Sequence, residues 1–183
     1  MIFDFTKDNF EKGRVHFREG TKKFSRSIFL FQNGDWAGSV EASQHAIEFF
    51  IKTLYLISGN PIPRTHDPGK KIEPILDEFK KINPEIFKNA LIDPFHWIKE
   101  ISEHMEEIHF IAMYGDNNIP ASDLFTKNDA EKYCDTAFQM MILILIIAFQ
   151  FGFFYKNLPE EGRLFFEKIA PGFFKKREDR NDE

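Results

Sequence analysis

One cysteine in 183 residues, Cys134, rules out a disulfide within the chain and favours a reducing compartment. With no C-x-x-C pair and no H-E-x-x-H, the chain carries no zinc signature, and no resident metal or cofactor is expected. His104 and His109 fall about 140° apart on a helix, too far round to share an ion easily. No glycine-rich phosphate loop follows a strand, because no segment reads as a strand. Lys and Arg number 24 against 29 Asp and Glu, a net charge of −5, so no global basic field draws the chain to nucleic acid, although a local patch remains open. The first residues, MIFDFTKDNFEKGR, lack the basic start and apolar run of a secretory signal, so a cytoplasmic location is expected.

What is abundant is apolar and aromatic. Hydrophobic residues make up 43 % of the chain and Phe alone numbers 23, enough for a sizeable core. The expectation is one helical domain over residues 1–175, followed by a charged, mobile tail over 176–183. Phe10, Phe17, Phe24, Ile28 and Phe31 step at helical spacing and predict a first helix over 6–32, its N-terminal half weakened by Gly13 and Gly20. Gly34 can end that helix and Asp35 can cap the next, which predicts an antiparallel hairpin. The second helix runs to the stop signal at Ser58-Gly59-Asn60-Pro61. Asp67-Pro68 predicts a short helix over 68–81, Asn83-Pro84 another turn to about residue 90, and Asp93-Pro94 a further start. Ile98, Ile101, Met105, Ile108 and Ala112 then form an apolar stripe. A polar loop spans 114–125. Thr126-x-x-Asp129 reads as a capping box for a last long helix to about residue 154, with an amphipathic segment over 163–174 after it.

Residues 136–155 carry no charge, and about 20 such residues suit a bilayer. Gln139, Gln150 and Gly152, and the amphipathic start at Glu131, Lys132 and Asp135, instead favour a bundle helix buried by its neighbours and by a second subunit. The expectation is therefore a homodimer with no membrane span.

The second helix is apolar almost all round, as buried helices are. One strip differs. Glu41, His45, Glu48 and Lys52 fall within about 60° of one another. Ionisable groups on a buried helix must be paired or wetted by a cleft. Two readings stay open: a structural network that ties down nearby loops, with Asp67 only a cap, or a cleft that presents Lys52, Arg64 and His66 to an anion, with Tyr114 for stacking and Asp116 beside it. Cys134 reads as a small buried hydrophobe, and His96, His104 and His109 as surface or stripe-edge histidines.

Ala-Ser-Gln-His-Ala-Ile-Glu-Phe-Phe-Ile-Lys-Thr-Leu over 42–54, Pro-Arg-Thr-His-Asp over 63–67, and Ala-Met-Tyr-Gly-Asp over 112–116 with Asp129-Ala130-Glu131 after it together resemble the HEPN domain family, the higher eukaryotes and prokaryotes nucleotide-binding proteins. In order and spacing the likeness covers roughly residues 20–156. It implies an all-α, up-and-down bundle of four to five main helices with short extra helices, usually dimeric. It implies a nucleotide- or RNA-related role, often beside a small partner nucleotidyltransferase in a toxin–antitoxin-like pair. By that likeness His45, Glu48 and Lys52 match the family's polar helix positions, Arg64, His66 and Asp67 its first loop, and Tyr114 and Asp116 its second. Ribonuclease members carry Arg, four to six residues, then His. No arginine here has a histidine at that spacing, and Met113 stands where the family often has arginine.

The resulting expectation is a binding module that holds a nucleotide through Lys52, Arg64, His66, Tyr114 and Asp116, with Glu41, His45, Glu48 and Asp67 as the supporting polar strip. The rivals are a metal-independent ribonuclease with His66 or His45 as general base, and a bundle that only dimerises and docks a partner.

Overall fold

The computed structural model describes residues 6–64, 66, 68–82, 97, 98, 100, 101 and 105–150. The chain divides into two compact units, Met1–Ile147 and Ala148–Glu183. The first holds every site residue discussed below. Among the described residues, five main helices carry the fold: α1 (Lys7–Gln32), α2 (Trp36–Ile57), α3 (Glu73–Ile82), α4 (Met105–Tyr114) and α6 (Lys127–Gln150). A 3-10 turn at Pro68–Lys71 precedes α3, and a one-turn helix, α5 (Ala121–Leu124), precedes α6. Among the described residues there is no strand, only an isolated bridge between Asp116 and Ile119. The protein is thus an all-α bundle, as its sequence leads one to expect.

Local chemistry sets the boundaries of the hairpin. The Thr6 hydroxyl accepts from the Asn9 N–H at the start of α1, and Asp35 accepts from Gly38 at the start of α2. Both helices end alike. Gly34 and Gly59 sit in the left-handed region at φ +79° and +74°. The N–H groups of the residues that follow them, Asp35 and Asn60, reach back to the carbonyls of Leu30 and Tyr55. These are Schellman closures, and the missing Cβ makes the reversal inexpensive.

α1 and α2 pack antiparallel. Phe17 lies against Phe50 near one end and Phe31 against Trp36 at the other, with ring centroids 5.2 and 5.4 Å apart. Phe50, Ile47, Ile51, Leu54 and Ile57 are fully buried, so α2 is the central rod. α4 covers one side of it: Val40 packs with Ala112 and Ala130, and Ile108, Phe125 and Tyr133 close over them. α6 meets both helices of the hairpin at Cys134. Its Cys134 thiol is buried and ringed by the hydroxyls of Ser27, Ser39 and Ser43 at 3.7, 3.3 and 3.6 Å. Serine and cysteine are small, which lets three helices approach at this junction. Cys134 is therefore buried as expected, but in polar company.

The expected helix over 68–81 is divided. Ile72 follows the 3-10 turn, and α3 restarts at Glu73 with Pro74 in its first turn. Pro74 has no N–H, so an unbroken helix would lose a bond there and clash with the preceding turn. The turns expected over 83–90, the start at Asp93-Pro94, the segment over 163–174 and the tail lie outside the described residues. Among the described residues, no helix is long and apolar enough to cross a membrane.

Candidate functional site

The polar strip on α2 meets α4 and the loop after α2. Glu48 is its centre and is nearly buried, with its side chain 11 % exposed. Lys52, one turn on, donates to Glu48 Oε1. This is the favourable order for a pair four residues apart on a helix. The other carboxylate oxygen, Oε2, lies 3.4 Å from Nδ1 of His66, which reaches in from the loop. Glu48 thus bridges a helix lysine and a loop histidine. Asp67 lies outside the described residues. The loop is fixed a second time just beyond it, where the buried Tyr55 hydroxyl donates to the Pro68 carbonyl at 2.7 Å.

Three imidazoles stand in a row over this centre. His66 stacks on His109 of α4 with centroids 4.8 Å apart and planes 18° apart, and the His45 ring lies tilted at 5.0 Å from that of His109. His45 Nδ1 is 3.8 Å from Glu41 Oε1. His66 is the exposed end, its side chain 55 % exposed, whereas His109 is buried and His45 half-buried. Burial holds His45 and His109 below the ordinary histidine range. Lys23 and His109 push His45 further down, and His66 does the same to His109. Glu41 and Glu48 oppose both shifts. Gln44, also on α2, is buried, and neither its amide nitrogen nor its oxygen finds a partner among the described residues.

The sequence places His109 at the edge of a stripe, whereas the structure puts it at the middle of the row. A signal for this is present: it lies four residues after Met105 and three before Ala112, both buried, so it shares the inward face of α4. The other expected residues divide. Glu41, His45, Glu48, Lys52 and His66 form one connected group. Tyr114 is exposed and joins that group only through a rung of rings: it stacks on Phe110 at 6.4 Å, and Phe110 meets His109 edge-on at 5.9 Å. Arg64 is exposed and has no ion-pair partner among the described residues. Asp116 is exposed in the turn after α4, where its side chain accepts from Asn117. Among the described residues, no three His, Cys, Asp or Glu side chains are arranged to hold a metal ion.

The chain matches the HEPN domain family over residues 14–145 and belongs to that family. A search of curated proteins finds no match. Among solved structures, the crystal structure of TT1696 from Thermus thermophilus is similar. It aligns with a TM-score of 0.56 at 20 % identity, covering 74 % of this chain and 98 % of that one. At that identity the likeness extends to the fold.

Proposed function

We propose that this HEPN chain binds the phosphate of a nucleotide, free or within RNA, at the outer end of the imidazole row. The observation that carries the reading is His66. It is an exposed loop side chain held on a buried carboxylate and a buried ring, while Arg64 on the same loop has no ion-pair partner among the described residues. A fork of N–H donors beside an oriented imidazole suits a phosphate. Tyr114, backed by Phe110, offers a face on which a base stacks. Lys52 is committed to Glu48, so its part is to hold that carboxylate and, through it, the ring. Asp116, exposed in the turn after α4, is the acceptor we assign to a hydroxyl or amino group of the nucleotide.

The test is titration with AMP and ATP up to millimolar concentration, followed by calorimetry and amide shifts. Binding that weakens at least fivefold in Arg64→Ala and Tyr114→Ala, with unchanged melting, supports the site. Absence of binding by either nucleotide overturns it.

A second reading is metal-free RNA cleavage. The Glu48–His66 pair favours it by turning the other ring nitrogen outward as a base. Cleavage lost in His66→Ala is its sign. The assembly we infer is a homodimer acting with a small nucleotidyltransferase. Exposed Phe138 and Ile146 on α6 support the first part, and family membership is compatible with the second.

A further inference from the structure

We infer that an anion docking at His66 brings one proton into the protein with it, so that binding and protonation at this site are a single coupled event. The inference rests on the phosphate-binding reading above. It follows from hydrogen-bond valence. An ionised carboxylate only accepts, and Lys52 already donates to the other oxygen of Glu48. His66 Nδ1 must therefore carry the hydrogen that faces Glu48 Oε2 across 3.4 Å. A neutral imidazole has one hydrogen, so Nε2 then presents a lone pair. A phosphate dianion also only accepts. Two acceptors cannot bond, and the contact forms only when Nε2 gains a proton.

Charged groups of both signs surround the row. On α2, Glu41 and Glu48 face the row, and Lys52 offsets Glu48. From α1, Lys23 acts on His45, and His16 lies within the field of Lys52. Arg64 adds a positive charge on the loop of His66 itself. From α4, the described group that meets His66 is the His109 imidazole. Among the described residues the row is thus flanked by charges of both signs, and the anion itself supplies the negative charge that accompanies the proton. The row accepts one proton, not two, because a second imidazolium at His109 would lie one ring spacing, 4.8 Å, from the first.

The experiment uses AMP as the probe and adenosine as its phosphate-free control. Between pH 7 and 9 the phosphate is already largely dianionic, its second pKa being about 6. Calorimetry in buffers of different ionisation heat is expected to give uptake of about one proton, and Kd is expected to weaken about tenfold per pH unit. In His66→Gln an amide N–H replaces the protonated nitrogen. Binding is expected to persist while the uptake and the pH slope vanish. Glu48→Gln frees the ring to carry its single hydrogen on Nε2, so uptake falls there too, provided that melting shows the variant folded. AMP binding with no proton uptake and a flat Kd overturns the coupling and leaves the phosphate site standing. Undiminished uptake in His66→Gln also overturns it. Failure of AMP to bind at millimolar concentration removes both.

Discussion

His45 and His109 make stability depend on pH in a definite direction. Both are held below the ordinary histidine range, first by burial. The unfolded chain takes up protons near pH 6.5, where the folded chain resists them. Below that pH the unfolded state binds more protons. The contribution of these two rings is therefore complete above about pH 6.5 and is lost as acidity rises through it. Urea midpoints at pH 7.5 and 5.5 should show the loss, and His109→Gln should make it shallower. A flat or opposite trend would mean that the row is solvated. Lys52 shows how the same residues act as structure. Its removal strands a nearly buried carboxylate, so Lys52→Ala should cost on the order of 2 kcal/mol, between the figures for exposed and buried pairs. Lys52→Ala combined with Glu48→Gln should cost less than the sum of the two, as read by denaturation. The strip itself is legible in the sequence, since 3.6-residue spacing alone gathers Glu41, His45, Glu48 and Lys52. The partner across the interface is not, because spacing within α4 cannot say which helix α4 covers.

At the scale of elements, caps are the most readable signals, because each joins a side chain to a backbone group three residues away. Thr126 and Asp129 form the expected reciprocal cap. Asp129 accepts from the Thr126 N–H at 2.9 Å, and the Asp129 N–H points to the Thr126 hydroxyl at 3.3 Å. Thr126→Ala should cost about 1 kcal/mol by thermal unfolding. Gly20 shows what local reasoning misreads. Judged by propensity it weakens α1, and alanine there should gain about 1 kcal/mol. In the hairpin, however, an added Cβ would stand 2.7 Å from the Phe50 ring and 3.2 Å from the Phe49 Cβ. Phe50 is fully buried and cannot swing away. Gly20→Ala should therefore destabilise, by about 1 kcal/mol net once overpacking of roughly 1–3 kcal/mol is set against the propensity gain. A stabilised variant would show that α1 and α2 can part slightly. At this glycine α1 packs closely on α2, which is a tertiary fact that no window along the chain contains.

At the scale of the whole molecule, the order of helices and the family are legible because periodic apolar faces and end signals are local and repeated. Which faces remain uncovered is not legible, since that depends on how the helices are arranged about α2. In α6, Ala137, Met140, Met141 and Ile144 point inward and are buried, while Phe138 and Ile146 stand 41 % and 39 % exposed with Ile142 between them. Phe138 is eight residues before Ile146, so the three share one face over two turns. Phe24 of α1 stacks beside Phe138 at 6.0 Å and extends the apolar surface onto the neighbouring helix. Isolated exposed apolar residues are ordinary, but an aligned row of them on a long helix costs water contact along its length. A second copy related by a two-fold axis would cover each row with the other. Sedimentation at micromolar concentration should then give a dimer. Phe138→Glu with Ile146→Glu should give a folded monomer, because both side chains already face outward and their replacement leaves the monomer core intact. A wild-type chain that sediments as a monomer at all concentrations would remove the dimer, whereas a variant that stays dimeric would move the interface to another face.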